Sequence, residues 1–111
     1  MASSDESLPR IYRVTLSSKA YDDLSSIFSF IKTNSESDVI ASNQVGIIEK
    51  AITELSIFPK GCPELHETKC RIRHIKKYCI LFDIDDTSST VNVLRIFHSH
   101  QNYTEQFQSS D

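Results

Sequence analysis

Five cations, Lys69, Arg71, Arg73, Lys76 and Lys77, fall within a stretch that holds no acid. Lys69, Arg71 and Arg73 alternate with Cys70, Ile72 and His74, so an extended backbone would point the three cations to one side. Planar guanidinium groups hold phosphate oxygens bidentately, and such a face suits a nucleic-acid backbone or a phosphorus centre gaining negative charge. Arg95 supplies a further guanidinium from a later apolar run, and His98 follows it with a side chain that exchanges protons near neutral pH. Tyr103 can stack on a base or donate a proton. The same alternation is also the ordinary solvated face of an antiparallel sheet, and a histidine ending a strand can simply hydrogen-bond to backbone.

Metal chemistry has its own pattern here. Cys62, His66, Cys70 and His74 recur every four residues and would line one face of a continuous helix as two Cys and two His ligands. Pro63 interrupts that run and Arg71 to Ile75 reads as strand, so the common face is lost and no metal or other cofactor is expected. His98 and His100 have no carboxylate beside them to complete a chelate. Cys62, Cys70 and Cys79 are an odd set without a Cys-x-x-Cys pair, which fits reduced thiols and a cytoplasmic protein.

Positioning these groups is the task of a short list of elements. Ile11, Tyr12, Val14 and Leu16 interleave with Arg13 and Thr15 as in a strand over 10–16. Ser17 and Ser18 offer cap hydroxyls, Asp22 and Asp23 place negative charge in the expected first turn, and Ala20, Leu24, Ile27, Phe28 and Ile31 recur at helical spacing to about Lys32. Thr33 to Asp38 is a polar connector in which Ser37 caps a second helix. Ile40, Ile47, Ile48, Ala51, Leu55 and Phe58 form the stripe of that helix, which should end before Pro59. Residues 59–68 carry two prolines and a glycine and read as loop. Three strands, 69–75, 78–84 and 91–97, follow at hairpin spacing. The order β-α-α-β-β-β is α+β: a small curved antiparallel sheet with the two N-terminal helices packed on it.

The chain of 111 residues, with 39% hydrophobic and 24% charged residues, suits one small domain over 10–108, with a disordered lead-in at 1–9 and a flexible tail at 109–111. Its longest apolar runs, such as Cys79 to Phe82, are far short of the roughly 20 residues a membrane span needs. The net charge of −3 argues against broad nucleic-acid binding, although residues 69–111 carry a balance of +1 and five of their six Lys or Arg lie between Lys69 and Lys77.

Several segments, taken in order, resemble the RelE/ParE superfamily of toxins from bacterial type II toxin-antitoxin modules. Tyr12-Arg13-Val14-Thr15-Leu16-Ser17-Ser18-Lys19-Ala20-Tyr21-Asp22-Asp23-Leu24 is similar to the family's opening strand and capped helix. Ile52, Leu55 and Pro59-Lys60-Gly61 resemble the end of its second helix. Arg71 to Phe82 resembles its central hairpin, with an Arg seven residues before a strand-starting Tyr. Val93-Leu94-Arg95-Ile96-Phe97-His98 resembles its last strand. The resemblance spans residues 11–108. The chain departs from the pattern at Lys76, where the family's turn usually carries Gly, at His100, where Arg is frequent, and in its slight acidity.

This resemblance implies a growth-inhibiting toxin. The first expectation is the nuclease branch, metal-free cleavage of ribosome-bound mRNA, in which Arg71, Arg73, Arg95 and His98 would be the catalytic set and Lys69, Lys76, Lys77 and Tyr103 would contact the nucleic acid. In the other, the fold poisons DNA gyrase by protein contact and needs no nuclease residues; a third possibility is a decayed, antitoxin-binding member. Either active branch implies a cognate antitoxin that folds on binding into a hetero-oligomer, with Phe30, Phe97 and Phe107 as candidate contacts, and no membrane partner.

Overall fold

The computed structural model describes residues 11–99. β1 (Arg13–Leu16) leads through Ser17 into α1 (Ser18–Ser35), which is followed by α2 (Asp38–Glu54), a single 3-10 turn (Pro59–Gly61), and the strands β2 (Arg71–Ile75), β3 (Tyr78–Asp85) and β4 (Thr90–His98). Both helices start as expected. The Ser17 hydroxyl accepts from the Ala20 N–H at 3.0 Å and the Ser37 hydroxyl from the Ile40 N–H at 3.2 Å. Asp22 and Asp23 fall beyond the first turn of α1, so they do not serve its dipole in the way their spacing suggested. α1 runs on to Ser35 and closes on Glu36, whose φ of 56° is the left-handed cap usually given to glycine. α2 stops at Glu54, short of Phe58, and Ile40 and Phe58 face solvent at the two ends of the anticipated stripe.

The strands order as β1-β4-β3-β2. β2, β3 and β4 form the anticipated antiparallel meander, while β1 lies parallel to β4 with Leu16 opposite Val93, so the sheet is mixed. Lys76 turns the β2–β3 hairpin at φ 52°, and Ser89 precedes β4 at the same angle. Between Leu81 and Phe82 the β3–β4 register shifts: Leu81 faces Arg95, Phe82 faces Val93, and Leu94 is the extra residue.

One face of the sheet carries Tyr78, Ile80, Phe82, Val91, Val93 and Ile96, which pack against Ala20 of α1, Ile48, Ala51 and Ile52 of α2, and Leu55 just beyond it. This is the main core. By strand alternation Ile72, Cys79, Leu81 and Phe97 lie on the other face, with the polar ladder Thr15–Asn92–Asp83 beside them. Among the described residues, no helix is long and apolar enough to cross a membrane.

Candidate functional site

Arg71 and Arg73 point to the helix side of the sheet, opposite Phe82 and Ile80 across the ladder. The Arg73 guanidinium donates to Glu54 Oε1 at 2.6 Å, at the end of α2. Arg71 Nη1 donates to the carbonyl of Cys62 at 2.6 Å and to that of Lys60 at 3.2 Å, and its Nη2 lies 3.8 Å from Glu64. Both side chains therefore fasten the end of α2 and the following loop to the edge strand. Lys69 precedes β2, and Lys76 and Lys77 form the β2–β3 turn; all three are exposed.

Arg95 is on the opposite face, and the register shift is the reason. Without it, Arg95 would share the face of Val93, because residues two apart in a strand point the same way. The extra residue Leu94 turns Arg95 and Phe97 away from the helices and Ile96 and His98 toward them. Arg95, expected in one catalytic set with Arg71 and Arg73, therefore lies on the other face of the sheet from them.

The guanidinium of Arg95 wraps the open edge of β4 instead. β1 stops pairing at Val93, so the next backbone groups of β4 need other partners. Ser17 supplies two: its N–H donates to the Val93 carbonyl at 2.9 Å and its hydroxyl to that of Leu94 at 2.7 Å. Asp23 supplies the third, accepting from the Ile96 N–H at 2.8 Å. Its carboxylate also takes Arg95 as a fork, with Nε at 2.9 Å and Nη2 at 3.1 Å. The bonds from Asp23, more than its Coulomb field, push the Arg95 guanidinium's pKa above its ordinary value. Arg95 also lies 5.0 Å from the centre of the Phe97 ring. Nothing in the sequence distinguished Asp23 from its neighbour Asp22 as the partner of a residue so far along the chain.

His98 meets Tyr78 edge-on, with ring centres 5.4 Å apart and planes at 79°. Burial pushes the Tyr78 hydroxyl's pKa up. These two residues, with Asp23, Ser26, Ile27, Phe30 and Ile96, line an open, mainly apolar groove of about 430 Å³ between α1 and the end of β4. Phe30 stands on its rim, 66% exposed, as its position off the main stripe of α1 suggested. Phe97, expected beside it as a partner contact, is instead buried on the far face of the sheet. Tyr103, Phe107 and His100 lie outside the described residues.

Cys62, His66, Cys70 and His74 do not share a helix face; His66 pairs with Glu67 at 3.4 Å, and His74 Nδ1 lies 3.2 Å from Cys79 Sγ. Among the described residues, no group of three metal-ligating side chains converges. Burial raises the pKa of the Cys62, Cys70 and Cys79 thiols, which keeps them protonated and weakly nucleophilic at neutral pH.

Comparison with known families gives a match over residues 14–103 to the ParE toxin of the type II toxin-antitoxin system parDE. The chain belongs to the ParE toxin family. Among solved structures, it is similar to a chain of the chromosomal ParDE TA system from P. aeruginosa, with a TM-score of 0.70 and 15% identity over 80% of this chain and 97% of that one. It is also similar to a chain of the toxin-antitoxin complex RelBE2 from Mycobacterium tuberculosis, with a TM-score of 0.59 and 24% identity over 82% and 99%. At these identities the two structures support the fold. Comparison with curated protein sequences finds no significant match.

Proposed function

We propose that this ParE-family toxin inhibits growth by binding a protein target, DNA gyrase, in the cytoplasm, and that a cognate antitoxin neutralises it by direct contact. The observation that carries this proposal is the engagement of the cations a nuclease would need. Arg95 is held by Asp23, Arg73 by Glu54 and Arg71 by two carbonyls, on opposite faces of the sheet. Freeing Arg95 would break a bidentate ion pair and leave the partly buried Asp23 carboxylate without its counter-charge, which opposes its use as a phosphate ligand. A contact inhibitor needs no such cluster, no metal and no cofactor. The net charge of −3 likewise favours a protein target over ribosomal RNA.

One observation favours the mRNA endoribonuclease alternative. His98 stands beside Tyr78 in an open groove, where a proton-transfer group would be accessible to substrate. A supercoiling assay with purified gyrase tests the proposal: the protein should block supercoiling or trap cleaved DNA, and the His98→Gln variant should do so equally. Intact supercoiling at stoichiometric excess of folded protein, together with cleavage of ribosome-bound mRNA, would establish the nuclease instead.

A further inference from the structure

The two edges of the sheet differ in what covers them. On β2 the preceding loop takes up the outer side: the Ile72 N–H donates to the Pro63 carbonyl at 3.1 Å, and the Leu65 N–H to that of Cys70 at 2.9 Å. β1, the other edge, joins β4 through its odd-numbered residues, with the Arg13 N–H on the Ser89 carbonyl at 2.8 Å and the Ser17 N–H on that of Val93 at 2.9 Å. The even-numbered residues therefore turn both backbone groups outward. Tyr12 directs its N–H to the Ser56 carbonyl at 2.8 Å. Beyond it stand the N–H and C=O of Val14 and of Leu16, two donors and two acceptors that no group among the described residues takes up. β1 also lacks the lysine, proline or bulge that usually blunts an edge.

We propose that this edge pairs with the same edge of a second copy, antiparallel about a two-fold axis at Thr15. In that register Val14 of each copy and Leu16 of the other form a hydrogen-bonded pair, and all four outward groups of both copies are used. Thr15 meets its own counterpart on the face away from the helices, and Arg13 is set opposite a serine, Ser17, so no like charges are opposed. An extended peptide makes the same four bonds, but the exposed apolar side chains around the edge favour a second copy. At its start the Tyr12–Ser56 bond sets Ile11, 72% exposed, beside Ile57 and Phe58, 43% and 72% exposed. Just past its end Tyr21, 60% exposed, stands in the first turn of α1. The antiparallel two-fold lays the start of each strand against the end of the other, so Ile57 and Phe58 of one copy meet the first turn of α1 of the other. Strand pairing this short falls well below the roughly 1,200 Å² of a stable interface, so these side chains set the affinity and the dimer is a weak one. This inference is independent of the toxin's target.

Light scattering of the full chain should show the mass moving from monomer toward dimer as concentration rises from about 1 to 100 µM. Thr15→Lys sets two lysines against each other at the axis and should raise the dissociation constant at least about tenfold while cooperative unfolding is retained. Phe58→Ser should weaken the dimer in the same direction. The register is read by Thr15→Cys in a Cys62→Ser, Cys70→Ser background, where Cys79 stays buried. The Cα atoms of a non-hydrogen-bonded pair lie about 4.5 Å apart, within reach of a disulfide, so oxidation should give a covalent dimer. Arg13→Cys, which has Ser17 rather than itself across the axis, should give none. A chain that stays monomeric at about 100 µM would overturn the inference and leave the edge to an extended segment of another protein. A dimer that a folded Thr15→Lys variant leaves unchanged, or equal crosslinking from positions 13 and 15, would overturn it too. Should Thr15→Lys not fold, the two cysteine variants decide.

Discussion

Replacing Asp23 by Ala removes an acceptor that holds three donors at once, so this single change should have an outsized effect on stability. The carboxylate takes the Arg95 fork at 2.9 and 3.1 Å and the Ile96 N–H at 2.8 Å, with side chains only 16% and 29% exposed for Asp23 and Arg95. Without it, the Ile96 amide loses its partner on an edge that β1 no longer covers, and the guanidinium is left unpaired. An unsatisfied backbone donor costs about 1–3 kcal/mol, and a charge-assisted pair that is mostly shielded adds a similar amount, so Asp23→Ala should lose about 2–6 kcal/mol. Arg95→Ala leaves the Ile96 bond in place and should lose about 1–2 kcal/mol. Asp23→Asn, which still offers an oxygen to the amide, should fall between the wild type and Asp23→Ala. Urea denaturation of the two Ala variants and their double mutant gives the coupling, expected at about 1–2 kcal/mol. The reasoning fails if Asp23→Ala is neutral, if Arg95→Ala costs more than Asp23→Ala, or if Arg95→Ala abolishes growth inhibition without lowering stability, the signature of a free phosphate ligand.

Gly46 lies inside α2, and a Cβ there would meet nothing within 4 Å, so Gly46→Ala should stabilise by about 1 kcal/mol and raise Tm by about 4 °C in a thermal melt. Lys76 holds φ 52° in the β2–β3 turn, so Lys76→Gly should gain about 0.5–1 kcal/mol in urea denaturation, while Lys77→Gly, without that angle, should not. The stability curve in alkali follows from burial of Tyr78 and the three cysteines. Their folded pKa values are raised above the ordinary 10.0 and 9.0, so the unfolded chain releases these protons first. The sign is therefore negative: this contribution is fully present below pH 9 and is lost as pH rises beyond it, and the urea midpoint should fall between about pH 9 and 10.5. A midpoint that rose over that range would contradict the burial of these groups.

The order of elements was legible because each carries its own local signal. Ser17 and Ser37 cap the helices, Ala20 and Leu24 or Ile48 and Ala51 repeat at helical spacing, and Pro59 ends the second helical region. What escaped depends on distant partners. The parallel seating of β1 against β4 joins residues at the two ends of the chain, and no local pattern encodes it. The facing of Arg95 and Phe97 was illegible for a smaller reason: alternation is a reliable guide only while the register holds. One extra residue at Leu94 reverses the facing of Arg95, Phe97 and His98, separating the guanidiniums and exchanging a buried Phe97 for a groove-lining His98. Asp22 and Asp23 look alike in the sequence, yet only Asp23 faces the unpaired stretch of β4.

The proposal of a protein target is tested most directly in cells, by following incorporation of labelled amino acid and labelled thymidine in the minutes after induced expression in a bacterial host. Inhibition of gyrase predicts that DNA synthesis falls first and a damage response follows, with protein synthesis initially intact, and that His98→Gln behaves as the wild type. An immediate fall in protein synthesis with cleaved mRNA, lost on His98→Gln in a variant of unchanged stability, would contradict it and make this toxin a ribonuclease.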